Sequence, residues 1–341
     1  MALLEVEDLV TEFCGSRGPV RASDGVSFTV EPGEVLGLVG ESGSGKSVTA
    51  RAIMGLVEPA SAVRGGAIRF DGKELRGLGE GALRRLRAAQ VAMIFQDPMS
   101  ALNPVLRMGD QLARVYVEHM GQAPENRGLS KAELMAKGRE RALELLETVR
   151  IPDPAIRFGQ YPHQFSGGMR QRVMIAMALM CRPKLLIADE PTTALDATVE
   201  LQVIELLKDL QRQFGMAVLF ISHNLGVVAK LCDRVIVMYA GRVVEDAPTA
   251  DLFTRPLHPY AQALLASIPR GSKHDGRLQA IQGEPPDLAR LPGGCSFRPR
   301  CRMAVEACAE AQALRAFGPL RRVACHRAEF VESEALVGEP A

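Results

Sequence analysis

The chain has 341 residues, of which 47% are hydrophobic and 24% charged, and its formal net charge is +1. This length and composition are typical of a globular protein with room for two domains, and the near-neutral charge argues against a general attraction to nucleic acid or anionic lipid. No run of 18 apolar residues predicts a membrane span, and the acidic N-terminus predicts no signal peptide, so we expect the chain to stay in the cytosol.

Short β-type runs dominate the first third of the chain, at residues 3–10, 26–30, 35–39, 67–70 and 91–95. Residues 108–120 and 131–150 then carry apolar side chains at helical spacing. A helix predicted at 197–214 alternates with apolar strands, at residues 185–188, 217–221 and 234–239. This order predicts an α/β fold with a mostly parallel, buried sheet that is interrupted by a helical insert at about residues 97–180.

A glycine-rich segment, Gly-Glu-Ser-Gly-Ser-Gly-Lys-Ser at residues 40–47, follows the apolar run 35–39. It fits G-x-x-x-x-G-K-[ST], the nucleotide phosphate loop between a strand and a helix. Glycines let the backbone point several N–H groups at a phosphate, and the following helix adds its positive end. We expect Lys46 to reach the β- and γ-phosphates and the Ser47 hydroxyl to bind Mg²⁺. The predicted nucleotide ligands in this region are Gly40, Ser42, Gly43, Ser44, Gly45, Lys46, Ser47 and Val48.

Two adjacent carboxylates, Asp189 and Glu190, end the apolar strand at 185–188. Side chains alternate along a strand, so the two acids are expected to point in different directions. Asp189 can hold Mg²⁺, and Glu190 can face an attacking water as a general base.

A second glycine-rich helix start lies at residues 166–168, where a serine precedes two glycines. The N-terminus of the predicted helix is a candidate anion site. In isolation this pattern indicates no more than a glycine-rich helix start.

These motifs, taken in order along the chain, resemble the ATPase subunit of an ABC transporter. The resemblance covers about residues 3–250, and its motifs are the phosphate loop, Gln96, Ser166-Gly167-Gly168, Asp189-Glu190, Ala194-Leu195-Asp196 and His223. It implies a P-loop NTPase core of the RecA type, an N-terminal antiparallel β subdomain and an inserted α-helical subdomain. It also implies ATP and Mg²⁺ as ligands.

The resemblance implies a role for each matching position. The catalytic residues would be Glu190 as the base, His223 as the contact to the γ-phosphate, and Gln96. The Mg²⁺ ligands would be Ser47, Gln96 and Asp189. At a seam with a second cassette, the nucleotide contacts would be Ser166, Gly167, Gly168 and Asp196. Phe13 is the candidate aromatic that stacks on adenine.

The sequence resembles one subfamily more closely, the dipeptide/oligopeptide import ATPases. The matching segments are residues 40–47, 95–104, 165–173 and 258–260. Met169 departs from the glutamine of ABC proteins at large but fits this subfamily. The resemblance implies a second ATPase subunit, expected to be a paralogue, two transmembrane permease subunits and an extracytoplasmic solute-binding protein. It places the chain peripherally on the cytoplasmic face of the cell membrane.

Four of the seven cysteines fall within one C-terminal stretch, namely Cys295, Cys301, Cys308 and Cys325. In a cytosolic chain such clustering favours metal binding over disulfides. The spacing lacks the close Cys-x2-Cys pairs of common zinc sites but suits the four thiolates of an iron–sulfur cluster. The tail resembles one that binds a [4Fe–4S] cluster in some members of the import family, and we favour that interpretation. The alternatives are a zinc site, in which His326 could replace one cysteine, and free thiols. The arginines expected to offset thiolate charge are Arg298, Arg300, Arg302 and Arg327.

The sequence therefore predicts an ATP-binding cassette at residues 1–255, a C-terminal extension at residues 256–331 and a flexible tail at residues 332–341. We expect ATP-driven closing and opening of a cassette dimer to power peptide import. Two alternatives are an ABC ATPase that acts outside transport and an iron–sulfur sensor with a nucleotide-binding cassette. The sequence has neither the long coiled-coil insertion nor the second cassette of the first class, and the intact Glu190 and His223 argue against the second.

Overall fold

A computed structural model of the protein describes residues 1–15, 18–57, 61–87, 89–97, 101–121, 123–193, 195–268 and 281–331. The tail predicted at residues 332–341 lies outside the described residues. The chain divides into two compact units. The first unit comprises Met1–Arg76 and Phe220–Ala341, and the second comprises Gly77–Leu219.

The secondary structure alternates between strands and helices along much of the chain. The strands are β1 (Leu4–Gly15), β2 (Gly18–Val30), β3 (Val35–Val39), β4 (Ser61–Phe70), β5 (Lys73–Glu74), β6 (Val91–Ile94), β7 (Leu185–Asp189), β8 (Ala217–Ser222), β9 (Arg234–Tyr239), β10 (Arg242–Pro248), β11 (Arg315–Ala316) and β12 (Arg322–Val323). The helices are α1 (Lys46–Ile53), α2 (Glu80–Leu86), α3 (Met108–Met120), α4 (Lys131–Thr148), α5 (Pro154–Phe158), α6 (Gly167–Leu179), α7 (Ala197–Phe214), α8 (Leu225–Leu231), α9 (Thr249–Thr254) and α10 (Pro259–Ala266).

The N-terminal sheet of the first unit is antiparallel, in the strand order β2-β1-β4-β5. Leu4 of β1 pairs with Val30 of β2 on one side and with Phe70 of β4 on the other, and all three side chains are buried. Alternation of apolar and polar residues along β1 turns one face of the sheet to the core. The predicted antiparallel β subdomain is therefore confirmed. The strands β2 and β4 begin earlier than predicted, because their first halves carry polar residues and glycines that only pairing with β1 holds extended.

A buried parallel pair, β3 and β9, forms the core of the first unit. Leu36–Val39 of β3 lie opposite Arg234–Val237 of β9. Every residue of β3 is buried, which explains its unbroken apolar run. The strand β10 pairs antiparallel with β9, and β12 pairs with β10.

The second unit combines the parallel pair β6 and β7 with most of the long helices. The helices α3 and α4 pack against each other, and a Cβ at Gly138 would lie 2.8 Å from the carbonyl oxygen of Ala113. Glycine therefore permits the close crossing of these helices. Ser130 begins α4 with a capping box that includes Glu133. The α/β fold with a helical insert is confirmed, and β8 carries the chain from the second unit into the first.

Candidate functional site

The predicted site residues are distributed over both units. The first unit holds Phe13, the phosphate loop, His223 and the four C-terminal cysteines, and the second unit holds Gln96, Ser166, Gly167, Gly168, Asp189, Glu190 and Asp196.

The phosphate loop joins the end of β3 to the start of α1 and depends on two of its glycines. Gly40 has a φ of 153° and Gly45 has a φ of 100°, both in the region that favours glycine. A Cβ at Gly40 would overlap the carbonyl oxygen of Met238, and one at Gly45 would overlap that of Ala22. The backbone of the loop is therefore packed too closely against β9 and β2 for any larger residue at these two positions.

The ammonium group of Lys46 folds back over the loop. Its side chain is buried, and Nζ donates to the carbonyl oxygens of Gly40 and Glu41, each at 2.9 Å, and to Oγ of Ser44 at 3.3 Å. All three acceptors belong to the loop itself. Ser47 follows in the first turn of α1 and is half-buried.

The loop is also tied to the strands beside it. The amide of Gly241 donates to the carbonyl of Ser44 at 3.0 Å, and the amide of Asp24 donates to the carbonyl of Gly241 at 2.8 Å. The carboxylate of Asp24 accepts two hydrogen bonds from Arg242, at 2.6 and 2.9 Å. Burial raises the pKa of Asp24, but the hydrogen bonds and charges of Arg242 and Arg21 outweigh it, so the net effect is a lowered pKa.

Two further predicted residues of the first unit lie on strands or at a strand end. His223 is exposed directly after β8, where the side chain of Asn224 caps α8 by accepting from the amide of Gly226 at 3.1 Å. Phe13 lies on β1 opposite Val20 and is half-buried.

In the second unit, Gln96 and Glu190 meet at the carboxyl ends of two parallel strands. Nε2 of Gln96 donates to Oε2 of Glu190 at 2.9 Å, and Oγ1 of Thr193 donates to the same oxygen at 3.0 Å. Glu190 has a φ of 48°, in the left-handed region, whereas the preceding Asp189 is buried at the end of β7. The backbone therefore leaves the extended conformation of β7 at Glu190.

The serine–glycine–glycine segment begins α6. Oγ of Ser166 accepts from the amide of Met169 at 3.3 Å, so this serine is the N-cap. A Cβ at Gly168 would lie 2.6 Å from Cγ1 of Val199 in the first turn of α7. Asp196 caps that helix by accepting from the amide of Val199 at 3.0 Å. The starts of α6 and α7 are thereby packed together; Ala194, the preceding motif residue, lies outside the described residues.

The four C-terminal cysteines line one small cavity of the first unit, together with Arg298, Arg327 and His326. Burial raises the pKa of Cys295 and Cys301, and it raises the pKa of Cys325 to about 11. Charge repulsion from the other thiols of the cluster adds to the raised pKa of Cys301 and Cys325. Within the described ranges, no group of three or more His, Cys, Asp or Glu side chains is arranged to hold a metal ion, so a preformed metal centre is not seen.

Two of the four arginines expected near the thiols, Arg300 and Arg302, do not line the cysteine cavity. Arg298 and Arg327 do line it, but the guanidinium of Arg300 binds the carboxylate of Glu41 in the phosphate loop. The position of Arg300 next to Cys301 in the sequence suggested a partner for thiolates. Nothing in the sequence indicates an acidic partner that lies 259 residues away.

Two residues that contact the predicted site were not identified from the sequence. Thr193 donates a hydrogen bond to Glu190, and Tyr260 accepts one from the amide of Glu41 in the phosphate loop. Thr193 lies three residues after Glu190, so the turn after β7 could have suggested it. The signal for Tyr260 was weaker: it stands in a His-Pro-Tyr sequence that is consistent with a helix start.

A family model described as "ABC transporter" matches residues 23–193, and one described as "Oligopeptide/dipeptide transporter, C-terminal region" matches residues 244–308. The oligopeptide transport ATP-binding protein OppD of Salmonella typhimurium is 50% identical over 325 residues, which cover 95% of this chain and 93% of that protein. The dipeptide transport ATP-binding protein DppD of Haemophilus influenzae is 47% identical over 326 residues, covering 96% of each chain.

Among solved structures, a dimeric post-hydrolysis state of the ATP-binding cassette MJ0796, bound to ADP and Pi, superposes with a TM-score of 0.62 at 26% identity. The match covers 72% of this chain and 98% of the other. No helix of the described residues is long and apolar enough to cross a membrane.

Proposed function

This chain belongs to the ABC transporter family of ATP-hydrolysing subunits, and we propose that it powers the import of oligopeptides or dipeptides through a membrane permease. The observation that carries the proposal is the similarity to peptide-transport ATP-binding proteins, which covers 95% of the chain and includes the C-terminal region. We assign the cassette to residues 1–255 and a C-terminal extension to residues 256–331.

Bound ATP and Mg²⁺ would supply the phosphoanhydride bond and the cation that neutralises its charge. The phosphate loop suits a phosphate because Gly40 and Gly45 let its backbone form a tight turn packed against β9 and β2, and because the positive N-terminal end of α1 follows the loop. Lys46 would exchange its loop carbonyls for phosphate oxygens. The remaining loop ligands in this proposal are Ser42, Gly43, Ser44 and Val48, and the proposed Mg²⁺ ligands are Ser47, Gln96 and Asp189.

Glu190 is the proposed general base. The two hydrogen bonds that Gln96 and Thr193 donate to Oε2 fix the orientation of the carboxylate, so it can take a proton from a water. His223 at the end of β8 is proposed to contact the γ-phosphate, and Phe13 is proposed to stack on adenine.

The signature residues are proposed to act on a nucleotide held by a second cassette. They are Ser166, Gly167, Gly168 and Asp196, at the packed starts of α6 and α7. The dimeric cassette named above, similar over 72% of this chain, supports such pairing. We propose a paralogous second ATPase subunit, two transmembrane permease subunits and an extracytoplasmic solute-binding protein as partners. Such an assembly would hold the chain on the cytoplasmic face of the membrane.

For the four cysteines we propose a [4Fe–4S] cluster. The support is that all four line one cavity, flanked by two arginines that can offset thiolate charge. A cluster spreads its ligands over several iron atoms, whereas one zinc ion must gather them around a single centre. Anaerobic purification followed by a visible absorption spectrum and metal analysis tests this proposal. A colourless protein that contains stoichiometric zinc would refute the cluster.

The import proposal is tested by deleting the gene in its source organism and measuring uptake of labelled dipeptides and pentapeptides. We expect uptake of one or both to fall and to return with the wild-type chain but not with Glu190→Gln. Unchanged uptake of both peptides would refute peptide import. The Glu200→Gln variant, which alters a neighbouring carboxylate on α7, serves as the matched control and should restore uptake.

A further inference from the structure

The C-terminal extension reaches the phosphate loop at one residue, Glu41. Nη1 and Nη2 of Arg300 bind the two carboxylate oxygens of Glu41 at 2.6 and 3.0 Å. The hydroxyl of Tyr260 accepts from the amide of Glu41 at 2.8 Å. The carbonyl of the same residue accepts from Lys46 at 2.9 Å. The amide of Ser44 donates to that carbonyl as well, at 3.2 Å. Each polar group of Glu41 therefore has a partner, and two of the four partner residues belong to the extension.

Arg300 is itself held rigidly. Its side chain is only 6% exposed, Nε donates to the carbonyl of Gln282 at 3.0 Å, and the guanidinium lies over the rings of Tyr239 and Phe297. Its hydrogen bonds to Glu41 raise its pKa, so the guanidinium stays charged. A two-pronged guanidinium–carboxylate pair in this setting fixes both distance and orientation.

Tyr260 is equally constrained. It is fully buried at the start of α10, and its ring packs against Tyr239 and Phe297 with centroids 4.5 and 5.3 Å apart. Tyr239 ends β9, the strand that lies parallel to β3 and so leads to the same edge as the loop. The aromatic cluster therefore forms a firm support beneath the first turn of the loop.

We propose that the extension is a positioning element for ATP binding, in which Arg300 and Tyr260 hold Glu41 and thereby set the conformation of the phosphate loop. The proposal rests on the proposed role of residues 40–47 in binding phosphate. The amide of Glu41, being bonded to Tyr260, faces the extension, and its carbonyl faces Lys46. The Glu41 amide shares a peptide plane with the carbonyl of Gly40, which also accepts from Lys46, so releasing Glu41 would let the two peptide planes on either side of it rotate and would change the acceptors available to the lysine.

The test measures the affinity of the intact chain for ATP, by fluorescence titration with a labelled nucleotide, in Arg300→Met, Tyr260→Phe and wild type. We expect Arg300→Met to weaken ATP binding about 10-fold, because it removes a charge-assisted hydrogen bond. Tyr260→Phe should weaken ATP binding a few-fold. The matched control is Arg315→Met, because Arg315 also pairs with a carboxylate in the same extension but on its surface, where Nη2 donates to both oxygens of Glu329 at 2.7 and 2.9 Å. It should bind ATP as the wild type does.

A double-mutant cycle separates positioning from general destabilisation. If the pair acts as one unit, Glu41→Gln with Arg300→Met should weaken ATP binding no more than the stronger of the two single changes, whereas additive losses would overturn the proposal. Wild-type affinity in both Arg300→Met and Tyr260→Phe, or equal weakening in Arg315→Met, would also overturn it. Lys46→Ala identifies failure of the underlying assumption, since normal ATP affinity in that variant would mean that the loop is not the phosphate site.

Discussion

Replacing Glu190 by glutamine should separate the folding of the site from its chemistry. Glutamine has the same shape, and its amide oxygen can keep both hydrogen bonds, from Gln96 at 2.9 Å and from Thr193 at 3.0 Å. In the proposed mechanism its amide nitrogen would offer the attacking water a donor where an acceptor is required. The cost to folding should therefore be small, while the proton acceptor is lost.

The loss of a general base is typically a factor of about 10²–10⁴ in rate, which corresponds to about 3–5 kcal/mol of barrier height. Thr193→Val keeps the carboxylate and removes one of its two orienting hydrogen bonds, so it should slow turnover only about 3–10-fold, the equivalent of about 1 kcal/mol. Graded losses of this kind would show that the orientation and the basicity of Glu190 both contribute.

The assay is phosphate release at saturating ATP and Mg²⁺, with the chain purified from its source cells together with its transporter partners. ATP affinity is measured alongside and should be unchanged in Glu190→Gln. Glu200→Gln controls for the removal of a carboxylate from the same unit. A Glu190→Gln protein that hydrolyses ATP within twofold of the wild-type rate would refute the assignment of the base.

Other outcomes follow from the geometry. Lys46→Ala should weaken ATP binding strongly, because it removes the ammonium group that we propose binds the β- and γ-phosphates; a near-normal Kd would contradict the loop assignment. Gly168→Ala should lower the free energy of unfolding, measured in urea, by about 1–3 kcal/mol, because the new Cβ would lie 2.6 Å from Val199. Gly167→Ala is the control and should have little effect, because the nearest atom to its Cβ would be 3.8 Å away. Equal losses in the two variants would count against this packing argument. The folded-state pKa of Asp24 is lowered, so its ion pair with Arg242 stabilises the protein above the unfolded pKa of about 3.9, and that stability is lost as the pH falls through the folded value. Asp24→Asn should accordingly destabilise the protein by about 1 kcal/mol at pH 7 and by progressively less as the pH falls below about 3.9, and a loss independent of pH would show that the charge is irrelevant.

The parts of the molecule that could be predicted from the sequence are those in which local pattern and tertiary role coincide. The strand β3 is apolar throughout because it is buried throughout, and the glycines that follow it adopt the positive φ angles of a tight turn. The strand β2 was underestimated because residues 18–25 alternate weakly and are held extended by pairing with β1. Likewise, β11 and β12 have two residues each and carry no periodicity of their own.

The candidate site shows the same division. The two carboxylates at the end of β7 were predicted from their place at a strand end and Gln96 from the family resemblance, and parallel pairing of β6 with β7 explains why Gln96 and Glu190 meet. The link between Arg300 and Glu41 could not be predicted, because it joins positions 259 residues apart and neither residue type distinguishes this partner from many others. Long-range ion pairs of this kind are set by the whole fold.

The N-cap role of Ser166 has a consequence for how a neighbouring molecule would be sensed. Its oxygen accepts a hydrogen bond from the amide of Met169. Because the helix start is exposed, the hydroxyl hydrogen can be donated to a neighbouring molecule. An aspartate at this position would cap the helix equally well but would present negative charge in place of a hydrogen. Ser166→Asp should thus leave the fold intact, but its negative charge should repel a phosphate group of the nucleotide that a second cassette is proposed to hold.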